Sequence, residues 1–259
     1  GQHILSGAKL IAHHPNLYAV YLTNHGCGPD TMLSHLFKQE MGDKPYLQIE
    51  VDEHFSNVGV ITRIEAFLNS LNHRPVEVLP KDFVLEQVEI HPCHLPAVPE
   101  KDFPLWLPPL GEYTASLTGY FRAQGVDAHA LPHLSAHALS LGRAETGAKE
   151  YLPFPALLGG ILAQQEADPA PAQFLIPQTQ GAEADGQYAR VIRAILDRRG
   201  NQRAKLVSPM LETLPATAQD RDALFRALLA GDILYAAPAA MRAGIAAAWD
   251  TLPGWAQLH

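Results

Sequence analysis

Residues 17–30 read LYAVYLTNHGCGPD: an apolar run at 17–22, then a polar, glycine-rich loop leading toward Met32, Leu33, Leu36 and Phe37. The run has strand length, and the four apolar residues beyond the loop recur at helical spacing. Residues 46–51 (YLQIEV) alternate as a second strand, and residues 52–59 (DEHFSNVG) make a second polar loop. Val60, Ile64, Phe67 and Leu71 then mark one face of a helix. Two strand–loop–helix units in succession predict a parallel α/β layer. Each loop follows the carboxyl end of its strand, where open α/β sheets place their ligands.

Upstream, Ile4, Ala8 and Ile11 already follow helical spacing, so the sequence reads as beginning inside an element. The expectation is a piece of a longer protein, its first subdomain incomplete at the N-terminus; a processed full-length protein is the alternative. Downstream, residues 72–109 carry Pro75, Pro80, Pro92, Pro96, Pro99, Pro104, Pro108 and Pro109. Proline fixes φ and removes a donor, which predicts an extended, helix-poor linker. A boundary near residue 100 divides the chain into a first α/β subdomain with its linker (1–100) and a second (101–259).

The α/β rhythm resumes with short strands at 105–107, 126–131, 174–176 and 205–207. Helices are expected at 113–124, with Gly125 as its cap, and at 134–141, 155–164 and 188–199. An Ala-rich helical tail follows, at 221–230 and about 239–248. The fold class is therefore α/β: two Rossmann-like subdomains, each a parallel sheet flanked by helices, joined by a Pro-rich segment and ending in helix.

Composition narrows the function classes. A chain of 259 residues buries a sizeable core without staples, and 2 Cys make neither a disulfide scaffold nor a self-contained zinc finger. A net charge of −8 argues against a nucleic-acid partner, which needs a basic face. The 13 His are numerous enough to reverse that sign when protonated. No apolar stretch approaches the ~20 residues of a spanning helix, and the N-terminus has no signal-peptide pattern, so the expectation is a cytoplasmic protein without a membrane partner. Nucleotide and hydrolase signatures (G-x-G-x-x-G, the P-loop, G-x-S-x-G) are missing from the sequence.

The loop Asn24-His25-Gly26-Cys27-Gly28-Pro29-Asp30 is the most specific stretch. Its glycines permit close backbone approach, and a thiol before a helix N-terminus has its thiolate favoured. Cys27 reads as a metal ligand, a nucleophile, part of an anion nest, or an inert residue in a glycine turn. Asp52, Glu53 and His54 follow the neighbouring strand, and carboxylates beside an imidazole suit acid–base work, ligand orientation or plain helix capping. Asn24, Gly26, Gly28, Asp30, Asp52, Glu53 and His54 are the candidate substrate-binding residues, with Cys27 the candidate metal ligand and no catalytic residue assigned. His91-Pro92-Cys93-His94 suggests zinc only if joined to His25 and Cys27.

Four stretches, taken in order, resemble a known family: residues 17–30, 44–67 (KPYLQIEVDEHFSNVGVITRIEAF), 144–153 (AETGAKEYLP) and 181–188 (GAEADGQY). They are similar to the C-terminal, dehydratase-like region of 2-hydroxyacyl-CoA dehydratase activase-related proteins, also called CoA-substrate-specific enzyme activases. The resemblance spans most of the chain and weakens after about residue 200. It implies Rossmann-like subdomains related to an iron–sulfur dehydratase component (a lyase-type activity), with activase ATPase domains of the same or a partner chain as partners. In such systems ATP drives a low-potential electron to a cysteine-bound cluster.

The family's lysine–glutamate–cysteine–leucine–proline stretch reads Lys149-Glu150-Tyr151-Leu152-Pro153 here. Its glycine–proline–cysteine–arginine stretch reads Gly181-Ala182-Glu183-Ala184. Tyr151 and Glu183 replace two implied thiolates, and Cys27 alone keeps its sulfur among the matching positions. The leading expectation is a degenerate module that docks or offers an acyl-CoA-sized crevice, with no cofactor in the isolated chain. Two alternatives stand beside it: a subunit lending Cys27 to an iron–sulfur cluster shared with other segments, and an unrelated α/β metal- or small-molecule-binding domain.

Overall fold

The computed structural model describes residues 2–24, 28–80, 95–147, 149–178, 184–210 and 218–236. They fall into two compact units: residues 1–93 with 182–187, and residues 94–181 with 188–259. The chain therefore passes from the second unit back to the first and out again around residues 182–187. The expected helix near 239–248 lies outside the described residues.

In the first unit, helix α1 (Gln2–His13) precedes strand β1 (Ala19–Asn24), helix α2 (Gly28–Met41), strand β2 (Tyr46–Val51) and helix α3 (Asn57–Leu71). β1 and β2 pair in parallel, Ala19 beside Tyr46 and Asn24 beside Val51. Residues opposite one another in a parallel pair share a face, so Ala19, Tyr21 and Tyr46 point one way. There Ala8 of α1 and Phe37 and Met41 of α2 join Ala19 and Tyr21 in the core. The Phe37 ring stacks on Tyr21 at 4.5 Å and meets Tyr46 edge-on at 5.0 Å.

Lys44 locks this face. Its ammonium donates to the Ile11 carbonyl at 2.8 Å and to that of His14, satisfying groups a helix C-terminus leaves open. Burial pushes its pKa down, against the raising effect of Glu77, with Arg74 adding a smaller downward push.

On the second face α3 packs against β2, where Ile49 is fully buried and Arg63 Nη2 donates to the Gln48 carbonyl at 2.9 Å. Val20 and Leu22, on the same face of β1, stay exposed. So does one side of α3, at Val58, Ile61 and Leu68; no α3 residue is buried.

In the second unit, strand β3 (Leu105–Leu107) is followed by helix α4 (Tyr113–Ala123), strand β4 (Ala128–Ala130) and helices α5 (Ala136–Ala144) and α6 (Pro153–Ala167). Strand β5 (Ala172–Leu175), helix α7 (Tyr188–Arg198), strand β6 (Ala204–Val207) and helix α8 (Ala218–Ala236) complete it. The sheet is parallel throughout, in the order β4-β3-β5-β6. Its strands are almost wholly apolar, as expected of a parallel sheet covered on both faces.

Local chemistry sets the helix ends. Ser135 Oγ accepts from Ala138 N at 3.0 Å to cap α5, and Pro153 opens α6 at a position needing no N–H. Gly125, at φ +77°, ends α4 as the sequence predicts. The register places Pro109, Pro132, Pro177 and Pro209 each two residues beyond aligned Leu107, Ala130, Leu175 and Val207. This row of prolines lines the carboxyl edge of the sheet, where each removes a ladder donor.

Among the described residues, no helix is long and apolar enough to cross a membrane.

Candidate functional site

The candidate site is built at the carboxyl edge of the β1–β2 pair. Asn24 and Val51 end the two strands side by side at one edge. Asn24 is exposed, and its backbone N–H donates to Asp30 Oδ2 at 3.0 Å across the intervening loop. Asp30 stands in the first turn of α2, where a carboxylate complements the helix dipole. Gly28, the first residue of that helix, is buried. Asn24, Gly28 and Asp30 thus form one local constellation. Gly26 and Cys27 lie outside the described residues, as do Glu183, Cys93 and its flanking histidines.

Thr23, one residue before Asn24, carries a signal that sequence reasoning missed. It is 3% exposed, and among the described residues its Oγ1 has no hydrogen-bond partner. A buried hydroxyl left in this state costs roughly 1–3 kcal/mol. Its only trace in the sequence is a polar residue at an inward position of an alternating strand.

Asp52, Glu53 and His54 stand in a local turn. Asp52 Oδ1 accepts from His54 N at 2.9 Å, and Phe55 N donates to the Asp52 carbonyl at 3.0 Å. This is an aspartate-closed turn of ordinary kind. Asp52 is half-buried, whereas the Glu53 and His54 side chains reach solvent, 3.7 Å apart. Asp52 is therefore the least exposed member of the trio.

A topological switch point lies in the other unit. Strand order reverses between β3 and β5, and ligands of open α/β sheets bind outside such a switch point. Its polar groups satisfy one another. Thr114 Oγ1 accepts from Leu110 N at 2.7 Å, Ser208 Oγ donates to the Ile176 carbonyl at 2.7 Å, and Gln178 Nε2 donates to Ser208 Oγ at 2.7 Å. Close by, the Tyr113 hydroxyl at the start of α4 bonds to Asp232 of α8, and that bond holds the phenol above its ordinary pKa.

Tyr151, at an implied thiolate position, is 57% exposed just before α6, and its carbonyl accepts from Phe154 N at 2.9 Å. A four-iron cluster held in the usual way takes about four thiolates, and the whole chain has 2 Cys. The donor set does not fit a self-contained cluster. Among the described residues no group of three or more His, Cys, Asp or Glu is placed to hold a metal ion.

The fold is that of a parallel α/β protein of two units, with polar residues at the carboxyl edge of the β1–β2 pair. Compared with protein-family models, curated proteins and solved structures, the chain matches none of them.

Proposed function

We propose that the chain is a dehydratase-like module of the activase-related type, in which the carboxyl edge of the β1–β2 pair receives the acyl end of a CoA ester. It works as a docking or substrate-holding unit beside activase ATPase domains and binds no iron–sulfur cluster of its own. The buried Thr23 hydroxyl, without a partner among the described residues and next in sequence to the Asn24–Asp30 clasp, is the observation that carries this reading. A ligand oxygen reaching that hydroxyl removes the penalty of leaving it unpaired. Asp30, Asp52 and Glu53 make the rim acidic. The phosphates of a CoA ester are repelled from such a rim, so the nucleotide end points away and the acyl end enters.

Thermal unfolding with and without acyl-CoA tests this through one substitution. Thr23→Val keeps the shape and deletes the hydroxyl, so the ligand-free variant melts at or above the wild-type temperature. Saturation at about 100 times Kd stabilises the wild type by roughly 2.7 kcal/mol, a rise of about 5–10 °C for a chain of this size. Thr23→Val loses most of that rise. A wild-type midpoint unmoved by any acyl-CoA overturns the reading, as does an equal rise in both proteins.

A further inference from the structure

The β1–β2 layer of the first unit is closed on one face and half-closed on the other. α1 and α2 pack on the Tyr21 face, and α3 packs on the opposite face against β2. Leu22 and Ile49 are register partners on that opposite face, yet Ile49 is 1% exposed and Leu22 is 62% exposed. The layer therefore carries a helical ridge over β2 beside a bare apolar floor over β1, where Val20 and Leu22 lie open.

The ridge is apolar as well. Val60, Ile64, Phe67 and Leu71 are its half-buried stripe, while Val58, Ile61 and Leu68 make a second stripe that reaches solvent. Together with Val51, the exposed side chains of ridge and floor leave on the order of 500 Å² open. That matches the apolar share, somewhat over half, of the roughly 800 Å² each partner gives to a standard interface. Monomers rarely leave a contiguous apolar area of this size in water.

Ridge and floor also match in level. α3 begins beyond the carboxyl end of β2 and runs back along it. Arg63 Nη2 donates to the carbonyl of Gln48, the register partner of Tyr21. At about 1.5 Å per helical residue and about 3.3 Å per strand residue, Ile61 stands near the level of Leu22 and Leu68 toward that of Val20. A two-fold axis parallel to the strands turns one copy over onto another and leaves these levels unchanged. Each ridge then seats on the other's floor, Ile61 on Leu22 twice over, which is the self-complementarity a symmetric dimer requires.

We infer that this face is the docking surface for a second copy of the chain, with α3 of each copy lying on β1 of the other. The inference is independent of the acyl-CoA reading and uses none of the residues proposed to hold that ligand.

Sedimentation equilibrium of the full chain between about 1 and 100 μM tests it. The wild type passes from monomer to dimer across that range. Leu22→Glu and Ile61→Glu each weaken the dimer at least about tenfold, because each places a charge at the centre of the contact. Both side chains are more than half exposed, so the variants keep the wild-type circular dichroism. Phe225→Glu, at an exposed apolar residue of the second unit, leaves the dimer as it was. Mixing reads the pairing itself. Leu22→Glu and Ile61→Lys are each monomeric where the wild type is dimeric, and an equimolar mixture dimerises again as the opposite charges meet. A wild type that stays monomeric overturns the inference, as does a dimer that both glutamate variants leave intact. Larger assemblies that grow with concentration, or a mixture that remains monomeric, overturn it as well.

Discussion

Gly159→Ala destabilises the protein by about 3 kcal/mol or more, a large effect for a single added methyl group. α5 and α6 cross with their backbones in contact. A Cβ on Gly159 would stand 1.8 Å from the Ala138 carbonyl oxygen, and one on Gly142 would stand 1.8 Å from that of Pro155. Both obstacles are main chain and cannot rotate aside, so the helices must separate along a contact that also buries Leu158 and Ile161. Gly160→Ala is the control. Its Cβ meets only Leu131 Cδ1 at 3.7 Å, an ordinary contact, and alanine is the better helix former by up to about 1 kcal/mol. That variant is neutral or stabilised. Gly142→Ala costs a similar amount to Gly159→Ala, and the double variant costs less than their sum, because helices already spread accommodate the second methyl. Urea midpoints for the four variants measure all of this.

Gln173→Leu is the second large effect, at about 2–4 kcal/mol. Gln173 is 1% exposed in the middle of β5, a polar side chain in an otherwise apolar strand. Its Oε1 accepts from Glu100 N at 2.8 Å, and its Nε2 donates to the carbonyls of Glu100 at 2.8 Å and Phe103 at 3.0 Å. It holds the segment preceding β3 with three bonds. Leucine fills the volume and leaves those backbone groups unpaired. Glutamate is no rescue, since a carboxylate cannot donate to the two carbonyls. The local consequence is opening of residues 100–103, read as trypsin cleavage after the exposed Lys101. A loss of 2 kcal/mol there raises cleavage about 30-fold when opening is fast relative to cutting. Unchanged cleavage at Lys101 contradicts the role given to Gln173.

Both positions show where the sequence stops being legible. A helical glycine reads in sequence as a propensity cost, and Gly142 and Gly159 acquire meaning only when α5 and α6 are brought together from either side of an intervening loop. Gln173 reads as an ordinary polar residue because its partners lie some 70 positions away. Local chemistry was readable. The alternation of 46–51, the periodicity of the flanking helices and the cap at Gly125 all give the α/β layers directly. Strand order was not, since parallel pairing is non-local, and the row of four prolines emerges only after the register is known.

The candidate site divides in the same way. Asn24 and Asp30 are six residues apart, and their clasp belongs to a loop that glycine and a first-turn carboxylate already mark. Asp52, Glu53 and His54 have a composition suited to catalysis, the same residues suit a turn, and the structure shows them in a turn with Glu53 and His54 in solvent. The amphipathic stripe of α3 is present as expected: Val60, Ile64, Phe67 and Leu71 are half-buried, whereas Val58, Ile61 and Leu68 stay exposed.

The proposal of a dehydratase-like module without its own cluster meets its most direct test in anaerobic reconstitution. The purified chain is incubated with ferrous iron and sulfide, desalted, and its bound iron and sulfide are counted beside those of Cys27→Ala. The expected result is far less than one cluster per chain and the same low count in both proteins. About four iron and four sulfide per chain, lost in Cys27→Ala, would contradict it.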